Sequence, residues 1–324
     1  MKISVSNILK LLVSLGIGFG LIYMVTSKLT PQDKIDIWAA IDKVDYFWIF
    51  TAMFIAFVAC IVRAIRWIML IEPLGYKPRV SVTIYSVFIL YIGNLLFPRL
   101  GEIMRCAIIA RYEKIPLDQG IGTMVTERII DVIGILALCS MALFFEMDVI
   151  LLFIEKFYTG MHFEFNLNVM IIGVLILASV IAFGIFIMRK LNIHEKVNAV
   201  KDGFLTGFRT VFQLKNPWLF IFYSLVIYIS YWLAVVACFK AMSETASLHS
   251  TAGLMCLFAS SIGVIISQGG IGAYQLLTQQ TLLLYNISPV IGYAFGWVTW
   301  LAQTAMLVIG GIASLILLSF VKKR

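Results

Sequence analysis

The sequence predicts an all-α, polytopic helical membrane protein, and three observations carry that prediction. Hydrophobic residues make up 61% of the 324-residue chain, against about 45–50% in ordinary globular proteins. Charged residues make up 13%, roughly half the usual share. The apolar residues fall into long runs, many of about 20 residues, the length a helix needs to cross a hydrocarbon core. A mean hydropathy of +0.99 is more apolar surface than one soluble core can bury. A large soluble catalytic domain is therefore excluded. Continuous runs also exclude a barrel, whose strands would alternate.

The elements follow in order. Lys2 and Lys10 precede an apolar run from Leu11 to Val25. It resembles a signal peptide, but Thr26-Ser27-Lys28-Leu29 offers no small-x-small cleavage site, so segment 7–26 is expected to be a retained helix. The later apolar segments are 46–70, 80–97, 121–146, 166–188, 217–239, 250–267, 270–285 and 290–320. Segments 80–97, 250–267 and 270–285 are short for a span.

Lys and Arg set the sidedness. The acid-rich loops 27–45 and 146–164 belong outside. The basic stretches 63–79, 99–118 and 189–215, and the tail Lys322-Lys323-Arg324, belong inside. A zigzag through every segment would put Arg105 to Lys114 outside. The conflict disappears if 80–97 and 100–112 form a re-entrant helical hairpin from the inside, with 250–267 and 270–285 forming another from the outside. The expectation is about six full spans plus two re-entrant hairpins, with both termini cytoplasmic, or about eight spans if the hairpins cross. The chain is then a single transmembrane domain over 1–324, with a first repeat at 46–146 and an inverted second repeat at 217–320. Between them, 190–216 is expected to be a cytoplasmic interfacial segment. Val197, Val200, Phe204, Phe208 and Val211 recur there at helical spacing, as in an amphipathic helix. A plain linker is the alternative.

Several chemistries are unsupported by the sequence. The five cysteines form no CxxC pair, and His162, His194 and His249 are far apart. HExxH, a Walker loop and GxSxG are missing. No cofactor or metal is expected. The net charge of +8 sits mostly beside apolar segments, which points to topology and anionic lipid headgroups and not to nucleic acid.

The informative residues are the polar ones within or beside apolar segments. The first hairpin tip runs Gly93-Asn94-Leu95-Leu96-Phe97-Pro98-Arg99-Leu100-Gly101-Glu102-Ile103-Met104-Arg105. Pro98 ends one half-helix, and Arg99, Glu102 and Arg105 share a face of the next. Each charge near the bilayer centre costs about 2.5–3.5 kcal/mol on insertion scales, so such groups need partners or a wet cavity. Glu127, Arg128 and Asp131 lie three and four apart, as ligand contacts or as an ion pair joining helix ends. Arg63 and Arg66, with Trp67, are secondary candidates whose simpler role is inner-face anchoring and snorkelling. The second tip, Ser267 to Gln275, offers Gln268, Gly269, Gly270, Gly272 and Gln275. Its glycines permit a tight turn with free N–H groups at a helix start.

These residues resemble the lysylphosphatidylglycerol synthase transmembrane-region family. That family comprises flippase-like proteins related to the membrane half of the bacterial multiple peptide resistance factor. The resemblance rests on Arg63-Ala64-Ile65-Arg66-Trp67, on Asn94 with Pro98-Arg99-Leu100-Gly101-Glu102 and Arg105, on Glu127-Arg128-Ile129-Ile130-Asp131, and on Gly269-Gly270-Ile271-Gly272. It implies a lipid-translocating domain in the cytoplasmic membrane. The implied cargo is an anionic or aminoacylated phospholipid or a polyprenyl-phosphate-linked intermediate. Gln268 and Gln275 stand where the family often has a proline and an acid, which weakens the case for proton coupling or an amine contact at that tip. No soluble aminoacyl-transfer domain accompanies the membrane segments up to Arg324, so the chain is expected to move a lipid and not to make it.

The leading expectation is a flippase in which Arg99 and Arg105 bind phosphate. Glu102, Glu127 and Asp131 would position those arginines, meet a cationic headgroup or carry a proton. The alternatives are a membrane-embedded lipid-phosphate transferase and a non-catalytic scaffold for cell-envelope enzymes. A homo-oligomer or an envelope-biosynthesis enzyme is the partner class compatible with these readings.

Overall fold

A computed structural model describes residues 5–149, 151 and 214–324. The expected span over 166–188 and nearly all of the interfacial segment 190–216 lie outside the described residues. Ten α-helices and two short 3-10 turns make up the described secondary structure, with no strand among the described residues. In chain order they are α1 (Val5–Thr26), α2 (Pro31–Asp42), α3 (Tyr46–Ile71), α4 (Val80–Leu96), α5 (Leu100–Glu113) and α6 (Leu117–Phe145). There follow α7 (Pro217–Lys240), α8 (Ala252–Ile266), α9 (Ala273–Leu284) and α10 (Pro289–Ser319).

Four helices are long and apolar enough to cross a membrane: α3 with the 3-10 turn that extends it to Leu74, then α6, α7 and α10. A fifth is available if α1 and α2 count as one element, although the chain bends by 110° between them. The first bend falls in a stretch the sequence reading left as a loop. Thr30 caps α2, its Oγ1 accepting from the Asp33 amide at 3.1 Å, while the Asp33 carboxylate accepts from the Thr30 amide at 2.8 Å. Pro31 fills the first helical position. The inner face of α2 buries Ile37 and Ala40 and packs on α10.

The short helices pair up. α4 packs on α5 across the Phe97–Arg99 turn, and α8 packs on α9 across the 3-10 turn Gln268–Gly270. Two glycines set the closeness of the first pair. A Cβ on Gly93 would sit 2.7 Å from the Gly101 Cα, and a Cβ on Gly101 would collide with the Leu90 carbonyl. In the second pair a Cβ on Gly263 would stand 2.7 Å from the Tyr274 Cα. α4 has 17 residues and α8 has 15, so at 1.5 Å per residue both are shorter than a bilayer core of about 30 Å.

The two turns meet. Gln268 Nε2 donates to the Asn94 carbonyl at 2.5 Å and to the Leu95 carbonyl at 3.3 Å. Trp300 of α10 donates to the Gly269 carbonyl at 2.8 Å. Three apolar clusters pack the described helices. One gathers Ile37, Ile49, Phe239, Leu282 and Phe295, and another Trp67, Ile71, Ile89, Ile109, Phe220 and Leu318. A third, of Ala56, Cys60, Phe88 and Met306, joins α3, α4 and α10.

Candidate functional site

The densest polar cluster joins α3, α5 and α6. Arg63 and Arg66 are three apart on α3, so they share one face; Glu127 and Asp131 are four apart on α6. Asp131 is the central residue of α6 (Leu117–Phe145), because the helix starts earlier than the apolar run alone suggests. The four side chains interlock. Arg63 Nη1 lies 2.7 Å from Asp131 Oδ2 and 3.2 Å from Glu127 Oε1. Arg66 Nη2 lies 2.7 Å from Asp131 Oδ1 and 3.3 Å from Glu127 Oε1. Arg105 of α5 closes the ring on Glu127 Oε2, with its guanidinium carbon 3.6 Å from the centre of the Trp67 ring.

Neighbours hold the ring in place. Trp67 Nε1 donates to Thr123 Oγ1 at 3.1 Å. Arg66 Nη1 donates to Ser224 of α7 at 3.1 Å, and the Tyr228 hydroxyl donates to the Asp131 carbonyl at 3.1 Å. Arg66, Arg105 and Glu127 are fully buried. In such a setting a charge is tolerable only when paired and hydrogen-bonded. The pairing is not balanced: three buried arginines face two carboxylates. Arg128, on the next face of α6, reaches Asp131 only at 3.6 Å and keeps 40% of its side chain exposed.

A cavity of about 320 Å³ opens beside this ring. Its polar lining comprises Arg63, Arg128 and Tyr91 together with Tyr231, Ser260, Ser261, Tyr274, Thr299 and Gln303 from α7–α10, and the remaining wall is apolar, including Met53, Ile135, Leu257 and Val264. No Asp or Glu lines it among the described residues. A second cavity, of about 510 Å³, lies between α6 and α7 and is lined by apolar surface. Tyr228 spans this gap beside Gly134, where any Cβ would strike the tyrosine ring. Ser224 and Tyr228 border this apolar cavity while bonding Arg66 and Asp131, so the two cavities meet the ion cluster from different sides of α6.

The other sequence-predicted residues fall into two groups. Arg99 is exposed at the α4–α5 turn with a left-handed backbone (φ 62°). Asn94 holds the turn: its Oδ1 accepts from the Gly101 amide at 2.9 Å, and its Nδ2 donates to Glu102 Oε1 at 3.2 Å. Gln268, Gly269 and Gly270 form the opposing turn. Gln275 caps its own helix, accepting from the Gly272 amide at 2.8 Å. Arg105 sits in the ion ring and not in the cavity lining. Arg63 and Arg66 are buried partners of the α6 carboxylates and do not snorkel to a surface. The sequence reading missed the cavity-lining hydroxyls and tyrosines. Ser260, Ser261 and Thr299 sit among apolar residues at ordinary helical positions, and nothing local marks them.

Among the described residues no group of three or more His, Cys, Asp and Glu side chains stands close enough to hold a metal ion. Comparisons with known proteins complete the description. The model of the family described as "Lysylphosphatidylglycerol synthase TM region" matches residues 7–311. A segment of 82 residues, 25% of this chain, is 30% identical to the glycosyltransferase AglD of Haloferax volcanii, of which it covers 13%. No solved structure matches the chain.

Proposed function

Since the chain belongs to the lysylphosphatidylglycerol synthase transmembrane-region family, we propose that it translocates a phosphate-bearing lipid across the cytoplasmic membrane. The observation that carries this reading is the cationic cavity beside a buried, arginine-rich ion cluster at the centre of α6. Intramembrane charge is costly, and a fold that only scaffolds other proteins gains nothing from three arginines there. Phosphate would bind Arg63 and Arg128 by charge-assisted hydrogen bonds. Acyl chains would leave through the apolar cavity between α6 and α7, or past Val264 and Ile265, which line the polar cavity and are 48% and 75% exposed.

The short α4–α5 and α8–α9 pairs act in this reading as re-entrant hairpins of two inverted repeats. Their tips, joined by Gln268 and Asn94, would part and rejoin as access alternates. A second reading is supported by the name of the partial relative, a glycosyltransferase: the cavity would then present a lipid phosphate to a transfer reaction.

The test is a lipid-flux assay. The protein is reconstituted into vesicles holding fluorescent phosphatidylglycerol, and a membrane-impermeant quencher reports the label reaching the outer leaflet. Translocation predicts flux above that of empty vesicles, reduced at least tenfold in Arg128→Gln. Wild-type flux no faster than empty vesicles overturns the reading. A covalently altered lipid supports the transferase instead.

A further inference from the structure

The cavity's charge balance says more than that a phosphate fits. Its charged lining consists of Arg63 and Arg128, with no carboxylate among the described residues. Glu127 and Asp131 are spent on Arg63, Arg66 and Arg105 behind the wall. Arg63 Nε has no hydrogen-bond partner although it is buried. The fixed charge of this part of the cavity is therefore positive, and its polar groups are guanidinium donors beside the Tyr91 hydroxyl.

Other lining residues are neutral hydroxyls. Ser260 and Ser261 each donate their hydroxyl hydrogen to the Leu257 carbonyl, at 3.0 and 2.7 Å. Thr299 donates to the Phe295 carbonyl at 2.9 Å. Each hydroxyl is neutral and keeps lone pairs that can accept a hydrogen bond. Neutral hydroxyls in one lining with two arginines suit a group that is anionic at one end and carries hydroxyls at the other. Among the described residues, a headgroup ending in an ammonium finds those hydroxyls but no counter-charge, and the fixed charges of the described lining are positive.

We propose that this cavity selects a net-anionic phosphate ester carrying a neutral hydroxylated group, such as a glycerol or a sugar, and rejects a cationic aminoacyl headgroup. The proposal rests on the translocation reading only for the ligand being a lipid; the charge selection is a property of binding alone. Arg128 is the residue that sets the selectivity, because its side chain reaches the cavity and is only loosely held by Asp131 at 3.6 Å.

The test is equilibrium lipid binding by the full chain in nanodiscs of zwitterionic phosphatidylcholine, read by native mass spectrometry. Phosphatidylglycerol and lysyl-phosphatidylglycerol are titrated separately. The expected result is at least tenfold tighter binding of phosphatidylglycerol, lost in Arg128→Gln and partly restored in Arg128→Lys. Equal binding of the two lipids, tighter binding of the lysyl form, or binding of neither overturns the proposal. An unchanged preference in a folded Arg128→Gln protein overturns the role of Arg128. Glycerol 3-phosphate added to the same discs separates a lipid source from a free one: competition at micromolar concentration assigns the site to a soluble ester of the same charge class, and no competition assigns it to a lipid. Selective binding without flux would leave the charge selection standing and remove the transport reading; flux of the lysyl lipid would do the reverse.

Discussion

At the residue scale, the chain separates charges that hold helices together from charges free to meet a ligand. Glu127 is the hub of the first kind, touching Arg63, Arg66 and Arg105 with no solvent exposure. Glu127→Ala strands those guanidiniums and is expected to cost about 3–5 kcal/mol, the range for breaking a buried pair. A steep fall in thermal midpoint in detergent would show it. A midpoint within two degrees of wild type, as for a surface change of about 0.5 kcal/mol, would contradict the hub role. Arg128 is of the second kind. Its contact with Asp131 is long, at 3.6 Å, and 40% of its side chain is exposed, so Arg128→Gln is expected to keep the wild-type midpoint while losing lipid binding. The sequence shows which residues share a helix face, because a spacing of three or four is local. It does not show that Arg63 and Arg66 face Glu127 and Asp131, since those partners lie 61 to 68 positions away and meet only once α3 packs on α6.

At the element scale, the two short helix pairs are held by close backbone contact at the tips and by ionic or hydrogen-bonded contacts near the ends. Gly101→Ala would drive a methyl into the Leu90 carbonyl, and a backbone atom cannot swing aside. The expected outcome is poor folding or a large drop in thermal stability. Gly122→Ala is the control: open space surrounds that position on α6, so it should be neutral or add a few tenths of a kcal/mol. At the base of α4 and α5, the buried Glu113 accepts from Arg79 at 2.6 Å and pairs with Arg324 at 3.0 Å. Arg324 also donates from its amide to the Tyr112 carbonyl at 3.2 Å and from its guanidinium to the Lys77 carbonyl at 2.8 Å. Glu113→Gln removes the charge that both arginines pair with and should lower the thermal midpoint in detergent; an unchanged midpoint would contradict this. The hairpin turns were legible from Pro98 and from the glycines around position 270. α2 is legible in the capping signal Thr30-Pro31-Gln32-Asp33, although the charge balance of 27–45 alone reads as a loop.

At the scale of the whole molecule, three apolar clusters pack the described helices, and the buried ion cluster forms where α3, α5 and α6 meet. Composition alone made the membrane class plain, because no soluble core accommodates so apolar a chain. The cavity was not legible: its wall is assembled from seven helices whose mutual packing leaves no local trace in the sequence. The proposed orientation, with both ends of the described chain cytoplasmic, is also tested at this scale. A cysteine at Ser247, between α7 and α8, should react with an impermeant maleimide from outside intact cells. One at Lys323 should react only after permeabilisation. The reverse pattern would invert the proposed topology.

The central claim is that the cavity beside Arg63 and Arg128 holds a lipid, and lipid mass spectrometry of the gently purified protein tests it most directly. Wild type and Arg128→Gln would be compared from the same membranes. The account predicts one phosphate-bearing lipid class enriched over the bulk membrane in wild type and lost from the variant. The same bulk lipid profile in both proteins would contradict it.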